Sequence, residues 1–324
     1  MAIPRSLRFL WAGAGMMLAA GAWAQGWPAK PVKIVGPFAP GGTADTLGRV
    51  VAQKLGETYK QSFVIENRAG AGGVIGSEIV AKSAPDGYTL LVSGVASHCI
   101  APAFARIFPF DPLKDFTHIA LFGGPPGVLA VNPSLPVHNL QEFIAYAKAN
   151  PGQLAYGSPG NGTQGYLVAE HLKQLAGISM EHVPYRGASL AVADLIAGHV
   201  LVTSTTLSTA SGQIRAGRAR ALAVTSAVRV ADFPELPTFA ELGYPGLTAS
   251  IWFSLSGPHG MPPDIVQSLN AEVRRALHQP EVLERLRPEG IEPGDLDPRQ
   301  FTDFVETELQ HWGAVVRSAG ARVD

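Results

Sequence analysis

Two loops hold the densest grouping of residues able to grip a small molecule. One is Phe38-Ala39-Pro40-Gly41-Gly42-Thr43-Ala44-Asp45, the other Gly157-Ser158-Pro159-Gly160-Asn161-Gly162-Thr163-Gln164. Both mix glycine with hydroxyl side chains, and each opens a predicted helix. At such a turn the first backbone N–H groups lack intrahelical partners and the helix end carries partial positive charge. An anion can be held there with no side-chain charge at all. Helix capping explains the same residues, since Thr43 and Thr163 are good N-caps and glycine permits the turn. Two such loops, one in each half of the chain, keep both readings open.

Catalytic constellations fail by type or by spacing. His98 precedes Cys99, but neighbours in sequence are not a nucleophile and its base, and the one cysteine is expected as a small buried thiol. Ser158 stands in Tyr156-Gly157-Ser158-Pro159-Gly160, which lacks the first glycine of a hydrolase nucleophile elbow and has proline after the serine. The run Gly70-Ala71-Gly72-Gly73-Val74-Ile75-Gly76 is one residue too long for a dinucleotide fingerprint and follows the second predicted strand. Its glycines are expected to let a helix pack closely on the sheet. The nine histidines never fall in H-x-H or H-x-x-x-H spacing, and no G-x-x-x-x-G-K-[ST] loop occurs. Glu306 and Glu308 share the last predicted helix, where a solvated face is the plain explanation. The expectation is no catalytic residue, no metal and no cofactor.

The elements that must position the two loops alternate. Strands are predicted over 31–35, 62–66 and 88–93, with helices over 43–59 and 73–82 between them; Leu47, Val50, Val51 and Leu55 fall on one face of the first helix. This β-α-β-α-β order predicts a mainly parallel sheet with helices on both faces. A second series has strands over 127–131, 154–158, 182–185, 200–204 and 219–225, with helices over 140–150, 162–176 and 190–197. One more strand over 252–256 and helices over 264–278, 281–286 and 298–319 end the chain. Ligands of open α/β sheets bind where strands run into helices, and both loops lie there.

Composition sets the outer bounds. A 46% hydrophobic, 16% charged chain with net charge −1 is globular and offers no basic cluster for nucleic acid. A single cysteine allows no intrachain disulfide. At the N-terminus Arg5 and Arg8 precede an uncharged stretch that ends in Ala22-Trp23-Ala24. A basic head, an apolar middle and an A-x-A end predict a secretory signal peptide cleaved after Ala24, and the apolar part is shorter than the roughly 20 residues a membrane span needs. The remainder, about 300 residues, suggests two domains.

Taken in order, a series of segments resembles the Bug family, the periplasmic receptors of tripartite tricarboxylate transporters. They are Pro40-Gly41-Gly42-x-x-Asp45, Glu66-Asn67-Arg68-x-Gly70-Ala71-Gly72-Gly73, Ala84-Pro85-Asp86-Gly87-Tyr88-Thr89-Leu90 and Phe110-Asp111-Pro112-Leu113-Lys114-Asp115-Phe116. Gly160-Asn161-Gly162-Thr163, His182-Val183-Pro184-Tyr185-Arg186-Gly187 and Arg220-Ala221-Leu222-Ala223-Val224-Thr225 follow. Each motif is weak alone; their order and spacing are specific, and they cover essentially all of the chain after the leader.

The resemblance implies a two-lobed periplasmic-binding-protein (Venus flytrap) α/β fold with mainly parallel sheets flanked by helices. Lobe one is expected over 25–125 plus 250–324, and lobe two over 126–249. The implied function is capture of a small carboxylate between the lobes, for delivery to the membrane subunits of a transporter, by a periplasmic monomer that is not an enzyme. Carried over by position, lobe one supplies Phe38, Gly41, Gly42, Thr43, Asp45, Ser93, Ser97 and His98. Lobe two supplies Ser158, Gly162, Thr163, Tyr185, Ser204, Thr205 and Thr206, and Arg186 either caps the site or faces solvent. One departure stands out: where the family pattern has an aspartate facing the cleft, this chain has Thr205, which counts against ligands carrying an ammonium group. A receptor feeding a membrane sensor is the alternative; a hydrolase or lyase on the same lobes lacks the residues.

Overall fold

The computed structural model describes residues 26–105 and 107–318. The stretch read as a signal peptide, and Gln25 at the head of the expected first lobe, lie outside the described residues. Two five-stranded sheets organise the chain. The first contains β1 (Val32–Gly36), β2 (Phe63–Asn67), β3 (Thr89–Gly94), β4 (Phe116–Gly123) and, from far along the chain, β10 (Phe253–Pro258), in the order β2-β1-β3-β10-β4. The second contains β5 (Gly127–Val131), β6 (Ala155–Ser158), β7 (Glu181–Pro184), β8 (Val202–Thr206) and β9 (Arg220–Val224), in the order β7-β6-β8-β5-β9. Around them lie α1 (Thr43–Tyr59), α2 (Val74–Ala81), α3 (Ala101–Phe104), α4 (Leu140–Ala149), α5 (Gln164–Ala176), α6 (Ala188–Ala197), α7 (Leu207–Arg215), α8 (Pro263–Leu277), α9 (Pro280–Leu286) and α10 (Pro298–Ser318).

In each sheet one strand runs against the rest: β10 is antiparallel to β3 and β4, and β5 is antiparallel to β8 and β9. β5 and β10 are the strands by which the chain enters one lobe from the other, and each starts at the cleft and runs away from it. Gly127 pairs with Thr206 at the end of β8, and Phe253 pairs with Gly94 at the end of β3. The two crossings lie side by side, joined by the Pro126–Ser250 bridge and by Ala249 N–H donating to Thr225 O at 2.9 Å.

Each sheet has its own core. In the first, Ile34, Leu90, Val92, Ile119 and Leu255 meet Leu47, Val51 and Leu55 of α1 and Leu269, Val273 and Leu277 of α8, all buried. Phe301, Val305 and Trp312 of α10 join the same cluster, tying the end of the chain to its beginning. In the second, Leu129, Val131, Tyr156 and Val202 meet Phe143 of α4 and Leu172 of α5. Burying each such side chain contributes roughly 1.5–3 kcal/mol, which sets the apolar period of these helices.

Most expected elements appear within two residues of their predicted bounds. β4, α3 and α7 were not expected, and β8 lies two residues later than predicted, so that Thr205 and Thr206 end a strand instead of following one. Glu308 is not on a solvated face: its Oε2 accepts from the indole N–H of Trp252 at 2.9 Å and of Trp312 at 3.0 Å, because Trp252 packs against Phe301 and Phe304 of α10. Glu306 is exposed. The glycines of the 70–76 run also do something other than expected. Gly76 approaches Pro37, Gly73 lies under the Phe38 ring, and a Cβ on Gly72 would collide with the Asn161 carbonyl of the opposite lobe. Cys99 is fully buried, and burial pushes its thiol pKa well above the usual value, as does the Glu308 charge.

Candidate ligand-binding cleft

Four helices begin at one cavity between the sheets. α1 follows β1 through the 37–42 loop, α5 follows β6, α6 follows β7 and α7 follows β8. Thr43, the first residue of α1, lines the space together with Thr163 and Gln164 at the start of α5, Ala188 at the start of α6 and Thr206 before α7. A π turn at Ala96–Ile100, after β3, adds Ala96 and Ser97. The cavity is about 60 Å³, several times the ~10–15 Å³ one water needs. Phe38, Val95, Pro159, Ile251 and Phe253 supply apolar wall, and no lining residue carries a formal charge.

The helix N-termini are capped unevenly: α4 and α5 have side-chain caps, whereas α1, α6 and α7 at the cleft, like α2, α3, α8 and α9 elsewhere, have none. On the outer side, α4 is closed by Asn139, whose side chain accepts from Glu142 N–H at 2.8 Å, while Glu142 reaches back to His138 N–H. At the cleft, α1, α6 and α7 have no side-chain cap, with Gly42, Gly187 and Thr206 at their N-cap positions. Their N–H groups and dipoles converge on the cavity, an arrangement that favours a negative charge there.

Contacts across the cleft hold the lobes closed. Thr43 Oγ1 lies 2.9 Å from Thr206 Oγ1, 2.6 Å from Ser208 Oγ and 3.1 Å from Thr209 Oγ1. Ala39 N–H donates to Arg186 O at 2.9 Å, and Ser189 Oγ donates to Pro40 O at 2.8 Å. Gly162 touches Ala101 on the other rim.

Of the residues expected at the site, Phe38, Gly42, Thr43, Ser97, Thr163, Thr205 and Thr206 line the cavity. The rest stand behind it or at its rim. Asp45 is 5% exposed and turned inward: Arg49 Nε and Gly41 N–H donate to one oxygen at 2.9 and 3.0 Å, and Asn67 Nδ2 to the other at 3.0 Å. Burial alone would raise its pKa, but these partners outweigh it and hold the carboxyl below the usual value. Its role is to shape the Gly41–Gly42 turn, whose Gly41 is exposed with φ 82°. Ser93 sits in the first core, 2.6 Å from both Ser254 Oγ and Ser256 Oγ. His98 is fully buried against Phe110, Phe116 and His118, with Nδ1 3.0 Å from Ser97 Oγ. Burial, and next the neighbouring His118, hold its pKa well below the ordinary value.

In lobe two, Ser158 Oγ lies 2.7 Å from His182 Nε2 and accepts from Gly160 N–H, bracing the loop from behind. Tyr185 donates its hydroxyl to Asp194 at 2.6 Å and lays its ring under Gly157. Ser204 is buried in β8, its carbonyl pressed against Gly165. Gly162 is an inter-lobe contact, and the Arg186 side chain is exposed. Sequence reasoning did not name Gln164, Ile251 or Phe253 as site residues, and only the last two lacked a signal. Gln164 already stood in a flagged loop, at the first helical position.

Comparison with known proteins places the architecture. Residues 47–321 match the family model for the tripartite tricarboxylate transporter family receptor. The chain belongs to that family. Among its relatives, protein BugT of Bordetella pertussis (strain Tohama I) is 38% identical over 307 residues, covering 94% of each chain. A protein encoded between tcbD and tcbE in Pseudomonas sp. (strain P51) is 36% identical, covering 90% of this chain and 86% of that one. Two solved structures of this receptor type carry ligands. R. palustris Rpa4515 with adipate superimposes with TM-score 0.88 at 38% identity, covering 92% of this chain and 100% of that one. MatC from Rhodopseudomonas palustris with bound malate gives 0.85 at 33% identity, covering 90% and 100%. The periplasmic binding protein BugD gives 0.87 at 30% identity, covering 91% and 99%. The two mixed sheets with their flanking helices are therefore the two-lobed α/β fold of such receptors, and these neighbours are binding proteins.

Proposed function

We propose that this chain is a periplasmic solute-binding protein that captures a small carboxylate without an amine and delivers it, as a monomer, to membrane subunits of a tripartite tricarboxylate-type transporter. The observation that carries this reading is the convergence of four helix N-termini, three of them without a side-chain cap, on an inter-lobe cavity with no charged residue in its lining. Such a site stabilises a carboxylate through backbone N–H groups, hydroxyls and dipoles. It offers no free carboxylate to an ammonium group: Thr205 is neutral, and both oxygens of Asp45 are already engaged by Arg49, Gly41 and Asn67. Burying an ammonium without a carboxylate costs several kcal/mol in general.

The lobes are assigned to 25–125 with 250–324 and to 126–249, moving about the paired crossings near Pro126 and Ser250. The binding residues are those lining the cavity; Asp45, Ser93, His98, Ser158, Gly162, Tyr185 and Ser204 support them from outside it. Export by the 1–24 leader, with cleavage after Ala24, completes the reading. Thermal shift against a panel of di- and hydroxycarboxylates tests it, since a ligand of the native state raises the melting point by mass action. Acids that bind are recovered unchanged after long incubation. Absence of any response across the panel, or formation of product above the buffer blank, overturns it.

A further inference from the structure

α7 touches the opposite lobe at both of its ends. Near its start, Thr206, Ser208 and Thr209 meet Thr43 across the cleft. Its last residue, Arg215, reaches the turn Arg287–Glu289 between α9 and α10. There Arg215 Nη1 donates to Glu289 Oε1 at 2.9 Å and Nη2 donates toward Pro288 O at 3.4 Å. A second acid stands close by, with Asp232 Oδ2 3.7 Å from Nη2. Glu289 lies in the segment assigned to lobe one and Asp232 in lobe two, so one cation faces an acid from each.

Both sides of this arrangement are anchored. The guanidinium lies 4.7 Å over the Phe233 ring, and Phe233 is buried with Val128, Leu207 and Val224 of lobe two. The 287–289 turn is held in lobe one by Leu286 before it and Ile291 after it, both buried in the first core. Rotation of one lobe against the other therefore changes the separation of Arg215 from Glu289 and leaves Asp232 beside Arg215. The arginine side chain is long and 43% exposed, free to follow the nearer acid.

We infer that Arg215 exchanges partners as the lobes move, pairing with Glu289 when they are closed and with Asp232 when they are open. This uses the lobe boundaries proposed above and holds whatever ligand the cleft takes. The guanidinium keeps an acid in both forms, so it opposes neither. Glu289 limits the gain on closure: its Oε2 is buried without a hydrogen-bond partner among the described residues, and that lost hydration offsets part of the attraction. The pair is thus a weak, reversible strap. A receptor that must reopen to release its load needs a strap of that kind, not a clasp.

Spin labels on Thr46→Cys and Leu190→Cys read the open and closed populations of the unliganded protein. Both positions are exposed, in the first turns of α1 and α6, where Ala39 meets Arg186 and Ser189 meets Pro40 across the cleft. Cys99 is fully buried and stays unlabelled. Glu289→Gln removes the closed-form partner and raises the open-to-closed ratio about two- to fivefold, the worth of one partly exposed ion pair. Asp232→Asn removes the open-form partner and lowers the ratio by a similar factor. In an Arg215→Met background, which keeps an apolar stem over Phe233, neither change moves the ratio. If Arg215→Met does not melt cooperatively, the two acid variants and the loss of both shifts in molar salt carry the test. An unchanged ratio in Glu289→Gln, shifts of the same direction in the two acid variants, or a shift that persists in Arg215→Met overturns the inference.

Discussion

Hydroxyl side chains gather at two places in this molecule, and only one of them faces the cleft. In the first sheet, Ser93, Ser254 and Ser256 sit on neighbouring strands at 2.6 Å spacing, and Ser256 Oγ lies 3.3 Å from His118 Nδ1. The chain ends where His118 Nε2 donates to Pro112 O at 3.1 Å. Every link lies within one lobe, so opening and closing leave it untouched. At the cleft, Thr43 of lobe one meets Thr206, Ser208 and Thr209 of lobe two, while Thr205 Oγ1 has no partner among the described residues. Those links exist only while the lobes touch. Hydroxyls of one chemical type therefore stabilise a fold in the first place and read a state in the second.

Acid should separate the two clusters most strongly. Burial lowers the His118 pKa to about 4, and His182, stacked on Tyr156, is lowered to about 4 by the same cause. In the unfolded chain a histidine takes up its proton near 6.5, whereas the folded protein keeps these rings neutral. The stability they contribute is complete above pH 6.5 and is lost as pH falls from 6.5 toward 4; for His118 the linkage amounts to about 3 kcal/mol. Urea unfolding at pH 7, 5.5 and 4.5 should show that decline. No titratable residue lines the cavity, so affinity should follow only the ligand's own carboxyl groups. A urea midpoint that stays flat between pH 7 and 4.5 would contradict the core half of the comparison.

Gly72 offers a way to break the cleft cluster without touching it. Its φ is 62°, and its α-carbon faces the Asn161 carbonyl across the rim. Gly72→Ala puts a methyl group into that oxygen and prevents full closure, so a ligand gripped from both lobes should bind more weakly. The substitution also strains a left-handed backbone by roughly 1–2 kcal/mol. Gly198→Ala controls for this, because Gly198 has φ 79° with nothing within 4 Å. Calorimetry should show the affinity loss in the first variant alone. Equal loss in both would mean that strain, not closure, was responsible.

How much of this was legible in the sequence depended on the reach of each signal. Strand-to-helix loops rich in glycine and hydroxyls announced both halves of the cleft, and the resemblance supplied two lobes with a discontinuous first. β4 was missed because Phe116–Gly123 is buried on both faces and lacks alternation, leaving only a mostly apolar run after the 110–116 motif. α7 was missed because Leu207–Arg215 is rich in serine, threonine and glycine, poor helix formers whose position is set by packing. The direction of Asp45 depends on Asn67, 22 residues away, and on Arg49, a full helical turn on. Residue type could not distinguish a carboxylate that lines a site from one that shapes the loop beside it. The same holds for Ser93, whose partners Ser254 and Ser256 return from the far end of the chain.

The finest test substitutes one hydroxyl in each cluster and asks which property moves. Ser256→Ala removes the middle of the core chain, leaving Ser93 with one partner and the His118 Nδ1 acceptor with none. An unmet buried polar group costs about 1–3 kcal/mol, so the urea midpoint should fall while carboxylate affinity stays within error. Thr43→Val removes the hydroxyl that bridges the lobes and keeps its shape. Thr206 and Thr209 remain 2.7 Å apart and can still pair with each other, and Ser208, which loses its Thr43 partner, is only half-buried and can turn to water. The closed form alone loses its bridge, and affinity should fall about tenfold, the worth of roughly one good hydrogen bond, with little change in the midpoint of the unliganded protein. Thr43→Val lowering the midpoint as much as Ser256→Ala would place both clusters in the structural role and erase the distinction between them.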